Sequence, residues 1–296
     1  MSITSAMFTG VSGLLSNAEG INVIGNNLAN VNTIGFKSGR MLFSDMLSVN
    51  TVNSSQIGRG TQIQKVDNVF GQGSFELTES VTDIALQGNS FFALKDPLDA
   101  TAAGAFPMSG ATLTRAGAFR VDGNRFLVNP DGYQVLDTNG APIQFFDSAT
   151  APPTAGDFSK VTKIDGTGVI TYVDKLGATY YYSASNTVGT TTTAAVPATS
   201  DRIAVVNPPN PGALEKLGGT LFRVGTGSGL TGNIALATNI ANGTSEKIYS
   251  NSLEQSNVDM AGQFVKMILT QRAYSANSKT ITTADEMTQE VLNLKR

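Results

Sequence analysis

Two stretches with the period of a helix lie at opposite ends of this chain, and the residues between them carry the period of strands. Ile3, Met7, Val11 (or Gly10), Leu14, Ala18, Ile21, Gly25, Leu28 and Val31 recur at steps of three and four. They predict one helix over 3–31 with a stripe of apolar or small residues. At 1.5 Å per residue it would run about 43 Å. Its other face is Ser, Thr, Asn and Gly, and Glu19 is the only charged side chain before Lys37, so it is a poor helix alone. Gly35 stands where a C-terminal stop belongs, with Phe36 placed to fold back in a Schellman-type contact.

The other end answers it. Ser252-Leu253-Glu254-Gln255 and Ser256-Asn257-Val258-Asp259 are overlapping capping-box candidates. After them Val258, Ala261, Val265 and Ile268 recur at helical steps, and the stripe resumes as Ile281, Ala284, Met287, Val291 and Leu294. Lys295 and Arg296 sit where the helix dipole favours cations. Residues 257–294 would span about 57 Å, too long for a small core to cover. The single stripe needs a partner, and the N-terminal helix is the obvious one.

Between the ends, candidate strands are Thr61–Val69, Asp83–Gln87, Phe91–Lys95, Leu113–Ala116, Phe119–Val121, Arg125–Val128 and Gln134–Leu136. A second block offers Val161–Ile164, Gly168–Val173, Thr179–Tyr182, Arg202–Val206 and Thr220–Val224. Asp122-Gly123-Asn124, Pro130-Asp131-Gly132, Asn139-Gly140 and Asp165-Gly166 are turn signals between them. Such short, evenly punctuated strands predict an antiparallel sandwich or barrel-like domain. The fold class is therefore α+β by composition, with long terminal helices forming a coiled-coil-like domain joined to a mostly antiparallel all-β domain. The expected boundaries are 1–35 plus 253–296 for the helices, 36–70 for a connecting extended segment, and 71–252 for the β domain. Loops are expected at 148–157 and 183–200.

Composition narrows the chemistry. The chain has no Cys, His or Trp, which removes disulfides, thiolate nucleophiles, His-bearing triads and the usual zinc sites. Charged residues are only 15% and the net charge is −3, so no field draws nucleic acid or an anionic membrane. No run approaches the roughly 18–20 apolar residues of a membrane span. The N-terminus lacks the basic and continuous apolar parts of a secretory signal, so export with the N-terminus intact is expected.

Four features invite a sharper reading. Gly227-Ser228-Gly229-Leu230-Thr231-Gly232 matches G-x-G-x-x-G, but no helix pattern or strand–helix alternation follows, so a loop is expected. Asp122, Asp131 and Asp165 each neighbour Gly in hairpin context, where Asp serves the backbone rather than a metal or a glycosidic bond. Tyr180-Tyr181-Tyr182 reads as alternating strand residues rather than a stacking platform. The density of Asn22, Asn26, Asn27, Asn30 and Asn32 in a helix, where Asn is unfavourable, leaves two readings. The amides cap a fraying helix end, or they bond to backbone in partner chains. No catalytic residue, cofactor or metal ligand emerges, and the chain is not expected to be an enzyme.

The same residues carry a family likeness. The run from Val23 through Gly25-Asn26-Asn27-Leu28-Ala29-Asn30-Val31-Asn32 to Gly35-Phe36-Lys37 resembles the N-terminal signature of bacterial flagellar rod and hook axial proteins. Glu254-Gln255-Ser256-Asn257-Val258-Asp259, Phe264-Val265-Lys266-Met267-Ile268 and Gln271-Arg272-Ala273-Tyr274 resemble the matching C-terminal signature. Thr114-Arg115-Ala116-Gly117-Ala118-Phe119 is similar to the family's first β domain.

The resemblance implies a structural subunit that polymerises into a hollow tube, with the terminal helices as its inner domain. It implies self-association as a helical homopolymer, and partners among rod, hook-cap and hook–filament junction proteins and the flagellar type III export apparatus. The place implied is the flagellar hook or basal body. Phe36-Lys37-Ser38-Gly39-Arg40 and Ile281-Thr282-Thr283-Ala284-Asp285 look like the hook branch, so a hook subunit transmitting torque is the first expectation. The short length approaches the distal rod branch, which is the alternative; a secreted β-rich adhesin is a more distant one. The subunit contacts implied are Asn26, Asn27, Leu28, Asn30, Asn32, Gly35 and Phe36, with Asn257, Val258, Phe264, Val265, Ile268, Gln271, Arg272 and Tyr274 at the other end.

Overall fold

The computed structural model describes residues 3–50, 56–98, 111–145, 157–182, 202–230, 241, 243 and 246–294. The expected loop at 183–200, most of that at 148–157, the end of the Gly-rich motif, and Lys295 and Arg296 lie outside them. The chain divides into two compact units, one of residues 1–32, 37–69 and 258–296, the other of 33–36 and 70–257.

The first unit is built on helix α1 (Ile3–Ala29) and helix α2 (Met260–Leu294). They run antiparallel along a seam of heptad-spaced positions. A methyl on Gly10 would lie 2.9 Å from Ile281, one on Gly13 2.8 Å from Asn277, and one on Gly20 3.4 Å from Thr270. One heptad on, the Asn27 amide lies 3.5 Å from Gln263 Oε1. The backbones approach closely because α1 presents glycine where α2 presents a side chain. The seam is therefore lined by small residues, and the expected stripe divides: Gly10 and Ile281 meet on the seam and Ala284 is buried, whereas Val11, Val265 and Ile268 are exposed.

Residues 36–70, expected as an extended connector, hold an antiparallel hairpin of Gly39–Asp45 and Thr61–Asn68, with a register shift between Leu42 and Phe43. It packs on α1, where Ser12 Oγ accepts from Thr61 N at 3.3 Å. Helix α2 starts later than its first capping box implied, because Ser252–Glu254 is a strand paired with Phe75–Leu77. That pairing satisfies the backbone and buries Leu253 and Glu254, which outweighs a local capping signal. The N-cap is Asp259, whose Oδ1 accepts from Ala261 N at 3.1 Å.

Every strand pair among the described residues is antiparallel. In the second unit the main sheet runs Glu215–Gly218, Leu221–Arg223, Thr112–Thr114, Phe91–Lys95, Gln134–Val135, Leu127–Val128, Arg120–Val121, and Val205–Val206 also pairs with Phe91–Lys95. Phe91–Lys95 is buried along its whole length. Its alternation sends Phe92 and Leu94 into one apolar cluster and Phe91 and Ala93 into another. Phe158–Ile164, Ile170–Asp174 and Thr179–Tyr181 form a three-stranded sheet that adds Phe158, Tyr172 and Tyr180 to the first cluster. Each fully buried aromatic or aliphatic side chain is worth about 1.5–3 kcal/mol.

The hairpins share one device. Oδ1 of Asn129, Asp137 and Asp174 each accepts from the backbone N–H two and four residues on, at 2.7–3.1 Å. Asp122 Oδ1 accepts from the N–H four residues on alone, Phe126 N at 2.8 Å. Tyr180 and Tyr182 are buried and Tyr181 is partly so, the alternation of a strand.

Candidate assembly surface

The first unit places its largest apolar side chains outside. On α2, Phe264, Val265, Ile268 and Leu269 are 48, 57, 50 and 59% exposed, and on α1 Phe8 and Leu15 are 74 and 62% exposed. Farther along α2, Met287, Val291 and Leu292 continue the pattern. Such a run, on helices that spend Gly and Asn on each other, leaves a row of large apolar side chains in water. Gln271, Arg272 and Tyr274 lie on the exposed side beside it.

The Asn-rich end of α1 divides. Asn26 and Asn32 are exposed. Asn30 Nδ2 turns back on Asn26, donating to its backbone O at 2.8 Å and its Oδ1 at 3.1 Å. Asn27 is 1% exposed, and its amide clamps the hairpin. Nδ2 donates to Gly39 O at 2.7 Å and Oδ1 accepts from Gly39 N at 2.8 Å. Both ends of the Asn27 amide, expected at a partner chain, are therefore spent inside the unit. Leu28 is half-buried.

Gly35 also differs from its expected role. It stands six residues beyond the last helical residue, Ala29, so it does not cap the helix. Its φ is +68°, and a Cβ would lie 2.5 Å from Ala116 N and 2.7 Å from Arg115 C. Glycine is required there by a close backbone approach as well as by the left-handed conformation. Phe36 does not fold back in a Schellman contact; Lys216 Nζ lies 4.9 Å from its ring centre. Burial lowers the Lys216 pKa. Asn257 donates through Nδ2 to Gly71 O at 3.2 Å, and its N–H to Phe36 O at 3.4 Å. Val258 is half-buried.

One pair escaped the sequence reading. Arg115 and Glu254 are both wholly buried, with Nη1 3.4 Å from Oε2. Arg115 also donates to Gly88 O at 2.6 Å and lies 4.9 Å from the centre of the Phe91 ring. Burial lowers the Arg115 pKa and the Glu254 charge opposes that shift. Both residues stand inside motifs that carry the family resemblance, but nothing in their spacing brings them together.

Comparison with known proteins decides the kind of molecule this surface belongs to. Residues 7–37 match a profile described as flagella basal body rod protein. Residues 85–172 match the flagellar hook protein FlgE/F/G D1 domain, and 249–294 the flagellar basal body rod FlgEFG protein C-terminal region. The flagellar basal-body rod protein FlgG of Bacillus subtilis (strain 168) is 33% identical over 303 aligned positions, covering 98% of this chain and 99% of that protein. The chain belongs to the flagellar rod and hook protein family.

FlgG of Borreliella burgdorferi is similar at 31% identity, again across 98% of both proteins. The flagellar hook protein FlgE of the same organism is 37% identical, but only over 47% of this chain and 33% of the hook protein. The family is structural, and this member is a component of the bacterial flagellum rather than an enzyme. Its three profile matches fall on α1, on the sheet around Phe91–Lys95 and on α2. The end signatures are thus family features, and most of the expected contact residues lie within them.

Proposed function

We propose that this chain is a distal rod subunit, polymerising with copies of itself into the hollow axial shaft of the flagellar basal body. The observation that carries this reading is the difference in coverage. Basal-body rod relatives align from end to end, whereas the hook relative aligns over about half of this chain and a third of its own length. The hook reading, which the end motifs favoured, is correspondingly the weaker of the two.

In this reading α1 and α2 form a coiled-coil-like inner wall, and the β unit forms the outer layer. The exposed faces at Phe264, Val265, Ile268 and Leu269, and at Phe8 and Leu15, meet neighbouring copies. Asn26, Asn32, Gln271, Arg272 and Tyr274 form polar contacts beside them. Leu28, Asn30, Gly35, Phe36, Asn257 and Val258 act from within, holding the shape that presents those faces. The other axial proteins at either end of the shaft and the type III export apparatus are the expected partners, with export proceeding without a cleaved signal.

Deletion of the gene followed by electron microscopy of isolated basal bodies tests the assignment. Truncated rods are expected. Complete rods that lack hooks would return the assignment to the hook, and intact flagella would end both readings.

A further inference from the structure

The Arg115–Glu254 pair is poorly explained by stability alone. Desolvating two charges offsets most of their attraction, and an apolar pair of the same volume would hold the core equally well. Its neighbours explain it better. Glu254 Oε1 accepts from Gly73 N at 2.8 Å, and Glu254 O accepts from Gly35 N at 2.8 Å. Gly35 in turn lies against the Arg115–Ala116 peptide. Gln255 N, next in the chain, donates to Ser74 O at 2.8 Å. Arg115, next to the main-sheet strand Thr112–Thr114, also donates to Leu86 O at 3.4 Å and Gly88 O at 2.6 Å, at the end of the separate strand Ile84–Gln87. The chain passes between the two units at 32/33, 36/37, 69/70 and 257/258, so the segments gathered here are those that border every crossing.

We infer that Arg115 and Glu254 form a junction lock, which holds 33–36, 70–74 and 252–257 together on the β unit and releases them as a group when one charge is lost. The sheet core around Phe92 and Leu94 stays folded in the released state. A charge pair suits this task because a misplaced segment leaves a buried charge uncompensated, which makes intermediate arrangements costly. The inference rests on the β unit alone and is independent of the rod assignment.

Amide hydrogen exchange on the full-length chain tests it. Glu254→Gln keeps the side-chain volume and an acceptor for Gly73 but strands the Arg115 charge. Exchange at Gly35, Gly73 and Gln255 is expected to rise about tenfold or more, while Leu136 and Ile143 in the core stay within about twofold. The double variant Arg115→Gln, Glu254→Gln removes both charges of the pair together. Its junction amides are expected to exchange faster than in the wild type but slower than in either single variant. Equal acceleration of junction and core amides would make the pair an ordinary core element and overturn the lock. Junction rates at the wild-type level in the double variant would overturn it too, and that variant decides the matter if Glu254→Gln yields no soluble protein.

Discussion

The two units of this protein place their side chains by opposite rules. In the β unit Phe91, Phe92, Leu94 and Leu113 have no solvent exposure, and Asn129, Asp137 and Asp174 are used at turns. In the helical unit Gly10, Gly13, Gly20 and Asn27 lie along the seam, and Phe8, Leu15, Phe264 and Ile268 lie outside it. A unit of the first kind carries its own stability. A unit of the second kind leaves large apolar side chains in water, so covering them would add to its stability.

The sharpest way to break that comparison is to truncate one aromatic ring in each unit. Phe92 packs edge-to-face on Phe119 with ring centres 5.4 Å apart. Phe92→Ala should cost the β unit about 3–5 kcal/mol, read by denaturant unfolding of the full-length chain. Phe264→Ala should change unfolding by less than about 0.5 kcal/mol, yet abolish polymerisation followed by sedimentation. Similar losses of stability from the two would show that the helical unit is held by its own core.

Gly35→Ala comes next. The methyl would meet the Ala116 backbone in a left-handed conformation, and nothing there is a flexible side chain able to move aside. A loss of about 2–4 kcal/mol is expected in the same unfolding measurement. A neutral result would mean that the approach of 33–36 to Arg115 is looser than its geometry.

Asn27→Ala and Asn26→Ala sharpen the comparison within one helix end. The first removes both hydrogen bonds to the half-buried Gly39 backbone, at a cost of about 1–3 kcal/mol. Faster exchange of the Gly39 amide would report it directly. The second removes an exposed amide and should leave the free chain unchanged while weakening assembly. The reverse pattern would reassign Asn27 to the subunit contact.

Much of the β unit was legible because burial and period agree there. Phe91–Lys95 and Thr179–Tyr181 appear where alternation placed them, and Asp122 serves a turn as its Gly neighbour implied. The helices were legible in position but not in orientation. A helical period alone does not say which apolar residues face the partner helix: Gly10 and Ile281 meet on the seam, whereas Val11, Val265 and Ile268 stay exposed. Ser252–Glu254 was misread because a capping box is local, and its strand partner at Phe75–Leu77 lies far away in sequence. Arg115 and Glu254 were invisible as a pair for the same reason.

The smallest expected effect tests the seam itself. Glycine in a helix interior costs about 0.5–1 kcal/mol relative to alanine, so both Gly13→Ala and Gly25→Ala favour helix formation equally in the absence of contacts. The contacts differ. A methyl on Gly25 has nothing within 4 Å, whereas one on Gly13 would lie 2.8 Å from the Asn277 amide. Gly25→Ala should therefore stabilise the helical unit by about 0.5–1 kcal/mol, and Gly13→Ala should lose that gain by pushing α2 away. Circular dichroism of the two variants during thermal melting separates them. Equal gains would mean that α1 and α2 do not meet through the glycine seam, and the inverted packing of this unit would have to be abandoned.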